Sequence, residues 1–293
     1  GFPHAAYFGV AAVLAASMAP FNKRGKAVSR VLLGVTAAIL VGAPGATYFG
    51  QIFGWRSVFA AITVLSLTSL FLLYRNAPEV EGERPLNVRE ELASFANPQV
   101  WLALAIASIG FSGMFGVYSY LAPMILNVTK LEVEWIAPML VMFGLGTLIG
   151  NYAGGALYDR FKFSAVKYIM VFSFFALFAF PVLSLTLPGV AVGALMLGCM
   201  VALCPALQMR LMDVSKHGQS LVAASNHAAL NLGNALGPWL GGLAINAGWG
   251  WTSTGYVGAG MAFIGCLIYL WSYTLERKSL AHTTSAVEKG IAR

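Results

Sequence analysis

Apolar residues in this chain do not alternate with polar ones. They run together in long blocks, and the polar residues collect between the blocks. Nine blocks can be marked, at about 2–19, 28–53, 57–74, 100–126, 135–158, 166–187, 189–211, 220–247 and 251–275. Each reaches or approaches the roughly 20 residues that cross a hydrocarbon layer as a helix. No water reaches that layer to bond free N–H and C=O groups, so each block is predicted to be a helix. The blocks also carry a finer pattern. Gly34, Ala38, Gly42, Ala46 and Gly50 recur every four residues in the second block, as do Ser225, Ala229, Gly233, Gly237 and Gly241 in the eighth. Residues four apart share a helix face, and a face of small side chains lets two backbones approach closely in lipid. Pro44 and Pro238 lie in the same two blocks, where a proline removes one backbone hydrogen bond and favours a kink. Gly34, Gly42, Pro44, Gly233, Gly237, Pro238, Gly241 and Gly242 therefore form a candidate packing and hinge motif.

Charge adds the topology. Only 10% of residues are charged and 58% are hydrophobic, against about 25% charged in soluble domains. The net charge of +7 does not form a stripe for nucleic acid; it follows the loops. If the loop after the first block is cytoplasmic, 16 lysines and arginines fall on that side and 2 on the other, the asymmetry expected of a multi-pass inner-membrane protein. Trp55, Trp135, Trp249 and Trp251 then lie at the outer interface, and the C-terminus is cytoplasmic. Lys23, Arg24 and Lys26 follow the first block and do not precede it, the reverse of a signal peptide. Cys199, Cys204 and Cys266 all fall inside blocks and read as small buried hydrophobes. No metal or cofactor is expected.

The second and eighth blocks repeat one another. Pro44 precedes Gly54 by ten positions, Pro238 precedes Gly248 by ten, and the two prolines are 194 residues apart. Repeated bundles are common in transporters, with the substrate between the halves. The longest loop, 76–98, reads as a cytoplasmic linker, with three blocks before it and six after. The expected organisation is helices 4–6 of a first six-helix bundle at 1–75, helices 7–12 of a second at 99–275, and a cytoplasmic tail at 276–293. Nine of twelve helices would then be present, with three expected before Gly1 and the chain a fragment.

Several stretches resemble the drug:proton antiporter-1 branch of the major facilitator superfamily, and most closely its arabinose-efflux-permease-like members. Gly233-x-x-x-Gly237-Pro238-x-x-Gly241-Gly242 matches the antiporter motif at every fixed position. That motif is best known from the fifth helix, whose counterpart here, Gly34 to Gly50, departs from it with Ala43 before Pro44. Gly1-Phe2-Pro3-His4 with Tyr7-Phe8-Gly9-Val10, and Gly54-Trp55-Arg56 with Phe59, are similar to the arabinose-efflux-like group. Gly155-x-Leu157-x-Asp159-Arg160-x-Lys162 resembles the superfamily's cytoplasmic-loop motif. The resemblance implies a monomeric secondary transporter in the lipid bilayer that exports a small sugar-like or amphipathic solute by proton antiport. It also implies that Asp159 and Arg160 form a gating loop. A facilitator or uptake symporter is the alternative within transporters. A sensor or scaffold is the alternative outside them, although no sizeable soluble domain is present to receive a signal. An enzyme is not expected, because there is no H-E-x-x-H, no G-x-S-x-G and no paired carboxylates at membrane depth.

No aspartate or glutamate lies mid-block, so polar chemistry inside the membrane rests on neutral groups. His227, Asn231 and Asn234 recur at i, i+4 and i+7 and form one stripe about 100° around from the glycine face. They are candidates for a substrate cavity or for interhelical hydrogen bonds. Ser108, Ser112 and Ser119 form a similar stripe in the fourth block, with Phe115, so Ser112 and Phe115 are further cavity candidates. His4, near the outer end, reads as a surface or packing residue.

Overall fold

A computed structural model describes residues 2–76, 92–215 and 219–291. Helix occupies every predicted block. The first span is α1 (Phe2–Ser17). The second is α2 (Arg24–Ala37), a π-helical turn (Ala38–Gly42) and α3 (Ala43–Phe53); the third is α4 (Trp55–Asn76). The fourth span is α5 (Pro98–Ala105), a π-helical turn (Ile106–Gly110) and α6 (Phe111–Tyr118), followed by the short α7 (Leu121–Asn127). The fifth and sixth are α8 (Ile136–Phe161) and α9 (Ser164–Leu183). The seventh joins α10 (Leu187–Cys199) to α11 (Leu203–Val214) through a 3-10 turn. The eighth is α12 (Gln219–Ala244), ending in a π-helical turn (Ile245–Trp249), and the ninth is α13 (Ser253–Ile291).

Among the described residues, seven helical stretches are long and apolar enough to cross a membrane. The first and eighth spans are not among the seven. α1 has 16 residues. α12 has 26, but Asn226, His227, Asn231 and Asn234 in its middle lower its hydropathy. α13 runs without a break from Ser253 to Ile291, so the tail expected from residue 276 begins as a continuation of the ninth span. Most of the linker expected at 76–98 lies outside the described residues, as does the side chain of His4.

Local sequence explains the ends. Asn97 accepts a hydrogen bond from Gln99 N–H at 3.0 Å, with Pro98 opening α5 behind it. An asparagine cap satisfies a free donor, and a proline at the first turn needs none. Thr186 caps α10 in the same way, accepting from Gly189 N–H at 3.2 Å. The repeat seen in the sequence returns in the backbone. Gly54 and Gly248, each ten residues beyond its proline, hold φ of 81° and 85°, which only glycine adopts at little cost.

The tightest packing joins α8 to α10, α9 to α13, and α12 to α6. α1 packs on α12 and α2 on α8, with a smaller contact of α2 on α11, so the spans before the linker meet those after it mainly through the first two pairs. α4 packs mainly on α3 and buries none of its residues. Its leucine- and phenylalanine-rich surface suits a hydrocarbon environment, in which apolar side chains need no partner.

Candidate functional site

The glycine face of α12 is where two backbones come closest. A Cβ on Gly237 would run into the carbonyl oxygen of Ser112 and lie 2.7 Å from the Gly116 nitrogen. Gly233 repeats the backbone contact one turn below, against the Ser108 carbonyl, whereas Gly241 one turn above meets the side chains of Thr254 and Tyr120. The phenol of Tyr120 then donates to the Pro238 carbonyl at 2.9 Å and crowds Gly242. The matching face in the second span is different. A Cβ on Gly34 meets nothing within 4 Å, and one on Gly42 meets only its own neighbour Ala38. Pro44 lies in the first turn of α3 directly after the π-helical turn; its side chain is outside those described. The two glycine faces therefore differ among the described residues: Gly233 and Gly237 meet backbone, whereas Gly34 and Gly42 face no other helix and Gly50 meets only the Val58 side chain at 3.2 Å.

Ser112 belongs to this contact. Its side chain is fully buried and donates to the Ile109 carbonyl at 2.7 Å, so it is turned away from any cavity. Its carbonyl, not its hydroxyl, is what α12 packs on. The other four cavity candidates come together. Phe115, His227, Asn231 and Asn234 line a cavity of about 380 Å³ between α2, α6, α8, the seventh span and α12, within the roughly 300–1,000 Å³ range of small-molecule sites. One wall is aromatic: Phe111, Phe115, Tyr118 and Phe143 follow one another with ring centroids 5.8, 6.0 and 4.3 Å apart. The α12 stripe supplies a polar part of the lining, in which Asn234 donates to Asn231 at 3.4 Å.

Two further lining residues, Thr147 and Asn151 of α8, were not singled out from the sequence. Asn151 donates to Thr36 of α2 at 2.6 Å, a buried side-chain bond that ties α8 to α2. Thr147 and Asn151 are four residues apart in an apolar helix, the same signal that marked the α12 stripe, but the glycines around them read as packing.

At the basic end of the molecule lies a second junction of α2 and α8. Asp159 accepts from Gly25 N–H at 2.8 Å and from Lys26 N–H at 3.1 Å, one bond to each carboxylate oxygen. These are free donors in the first turn of α2, where the helix dipole also favours negative charge. The approach depends on glycine on both sides: a Cβ on Gly25 would lie 2.5 Å from the Gly155 oxygen, and one on Gly155 would strike Ser29. Lys162 stands over the Phe21 ring at 4.7 Å and Lys26 near Tyr152 at 6.0 Å, adding two cation–π contacts across the same junction. Arg160 is exposed, with its guanidinium over Phe161 at 5.2 Å.

A third polar cluster lies among the later spans. Arg210 is 4% exposed. It pairs with Glu276 at 3.0 Å, donates to Gln99 at 3.2 Å, and lies 3.8 Å from the Phe163 ring centroid. Ser272 donates to Gln99, and Tyr158 donates to Asp213 at 2.7 Å. In the sequence, Arg210 falls at the end of the seventh block and counts only among the 16 basic residues of the expected cytoplasmic side.

The family-level comparison agrees with this layout. The model of the Major Facilitator Superfamily matches residues 1–226 and again 126–291. The chain belongs to the major facilitator superfamily. It is 36% identical over 271 residues to the inner membrane transport protein YdhP of Escherichia coli K12, covering 92% of this chain and 69% of that protein. It is 32% identical over 163 residues to a chloramphenicol resistance protein of Streptomyces lividans, covering 54% of this chain and 41% of that one. In structure it is similar to a bacterial homologue of the human lysosomal transporter Spinster, captured inward-facing and unoccupied. The TM-score is 0.54 at 17% identity, covering 85% of this chain and 71% of the other. The fold class and the efflux-type relatives expected from the sequence are thus found. The protein is a membrane transporter by family, of all-α fold.

Proposed function

We propose that this protein is a secondary active transporter that exports a small amphipathic or sugar-like solute from the cytoplasm in exchange for protons, and that it has no catalytic site. The observation that carries the reading is the cavity between α2 on one side and α6, α8 and α12 on the other, with a carboxylate clasp between α2 and α8 at the basic end. A site between two groups of helices that can rock about it is what alternating access needs. The basic end is taken as cytoplasmic, which puts the C-terminal helix on that side. Residues 1–75 act as part of one moving unit and 99–275 as the other, joined through 76–98. Asp159 is the latch: docked on α2, it holds the cytoplasmic side closed and favours the outward-open state. The backbone contact between α6 and α12 at Gly237, with Pro238 as a hinge beside it, lets the two helices bear on one another as the unit moves. Export is supported by the chloramphenicol resistance protein among the relatives.

One observation favours an uncoupled facilitator as the second reading: among the described residues, those lining the cavity include no carboxylate, and proton-coupled carriers commonly use a buried acid. Everted vesicles carrying the full-length protein, with an acidified lumen, separate the two. Addition of chloramphenicol should discharge the pH gradient, read as recovery of a quenched pH dye, and flux should fall when the gradient is collapsed. Flux that ignores the gradient would establish the facilitator and end the antiport reading.

A further inference from the structure

We infer that the cavity selects an uncharged amphipathic solute, with an aromatic or broadly apolar body and a hydroxyl or amide group, and that Asn151 is the side chain that reads that group. The inference rests on the transporter reading above and narrows it away from free sugars and from ions.

The body is set by the ring wall. Phe111, Phe115, Tyr118 and Phe143 form an unbroken run of edge and tilted contacts along one side of the cavity. Such a surface favours a solute with apolar faces to bury. The polar group is set by Asn151. The residue is 3% exposed, and its amide nitrogen is spent on Thr36. Its Oδ1 is buried without a partner, and so is Oδ1 of Asn234 across the cavity. A buried acceptor left unmatched costs free energy that a bound donor returns. An amide turned about its axis would present N–H to the cavity instead of oxygen. A hydroxyl or amide on the solute both donates and accepts, so it matches Asn151 in either orientation.

Charge is set by what the wall lacks. Among the described residues, the lining contains threonine, asparagine, histidine and tyrosine, but no carboxylate, lysine or arginine. A permanent ion there would lose its hydration and gain no counter-charge. A free monosaccharide has the opposite mismatch: it brings hydroxyls on every face to a site in which Phe111, Phe115, Tyr118 and Phe143 present a continuous run of rings.

The test is equilibrium binding to the full-length protein in lipid nanodiscs. Phenyl β-D-glucoside and benzanilide serve as uncharged aromatic probes, tetraphenylphosphonium and tetraphenylborate as ions of similar apolar bulk, and L-arabinose as the free sugar. At least one uncharged probe should bind saturably, with both ions and arabinose at least about tenfold weaker. Asn151→Leu should weaken the uncharged probe at least about tenfold, the loss expected when a buried hydrogen bond goes unmade. Asn151→Asp keeps the acceptor and adds charge, so it should raise tetraphenylphosphonium binding above neutral pH. That gain keeps the proposal testable even if the leucine variant fails to fold. Preference for an ion, arabinose binding equal to the aromatic probes, no binding of either uncharged probe, or wild-type affinity in a folded Asn151→Leu protein would each overturn the inference. Proteoliposome flux separates it from the reading beneath. Tetraphenylphosphonium transport that Asn151→Leu leaves unchanged defeats this inference and leaves transport standing. Saturable uncharged-probe binding without flux keeps this inference and defeats transport.

Discussion

Replacing Asp159 by asparagine is the sharpest probe of the junction between α2 and α8. The carboxylate accepts two backbone N–H groups, at 2.8 and 3.1 Å, in the first turn of α2. Asparagine has nearly the same shape but only one acceptor. Whichever way its amide is turned, one of the two N–H groups faces an NH2 group in place of an oxygen. It also removes the charge that the helix N-terminus attracts. A charge at a helix end contributes about 0.3–1 kcal/mol when exposed and up to about 2 kcal/mol in a partly buried geometry such as this one. Taking about 2 kcal/mol, the closed-to-open ratio at this end should fall roughly thirtyfold. Double electron–electron resonance can read the shift with spin labels at Asn22 and Lys278, in a background lacking Cys199, Cys204 and Cys266. Asp159→Asn should move the distance distribution toward the longer, cytoplasm-open component. The shift should shrink as salt rises, because the junction is only part-buried and screening acts on its exposed edge. A distance distribution and a transport rate that both match wild type would refute the latch and leave Asp159 as a residue that only fixes topology.

Gly237→Ala should destabilise the protein by about 1–3 kcal/mol, since backbone atoms of Ser112 and Gly116 cannot rotate away from the new methyl; Gly34→Ala, facing open space, should not. Thermal unfolding in detergent compares them, and equal melting temperatures would contradict the close contact. Gly237→Leu in the full-length protein should abolish transport. Cysteine at Asn231, in the same cysteine-free background, should react with a water-soluble thiol reagent and be protected by substrate; an unreactive thiol in both inward- and outward-open conditions would remove α12 from the cavity. Glu276→Gln should cost about 1–3 kcal/mol, less than a fully buried pair, because Glu276 is 36% exposed while Arg210 is not. An unchanged melting temperature would mean that Gln99 alone satisfies the guanidinium.

The sequence was most legible where one physical rule acts alone. Span positions follow from the cost of unbonded backbone in lipid; the gating role of Asp159 was implied by the family resemblance, and charge beside a helix start explains the contact found. The α12 stripe was visible because three polar residues at i, i+4 and i+7 have no other reason to be in an apolar helix. Legibility failed where two helices must be known together. Gly34 and Gly237 look alike in sequence, yet among the described residues Gly237 faces the α6 backbone and Gly34 faces nothing within 4 Å. Ser112 shared a stripe with Phe115, but packing on α12 uses its carbonyl and not its hydroxyl. Asn151 was hidden among glycines, and its value depends on Thr36, which is 115 residues away. Arg210 counted only among the charges of the expected cytoplasmic side because its acid partner, Glu276, lies in a stretch expected to be tail.

The π-helical turn at Ile106–Gly110 has a consequence for how this molecule can change over generations. Such a turn amounts to one surplus residue in a helix, and it rotates everything beyond it by about 100° relative to everything before it. In the fourth span it divides the Asn97 and Gln99 end, which is fastened to α11 and α13, from the ring wall of Phe111, Phe115 and Tyr118. A one-residue deletion there would leave the fastened end in register and swing the rings out of the cavity. Lineages that add or lose a residue at this turn can therefore re-aim one wall of the chamber in a single genetic event, with no substitution among the rings themselves.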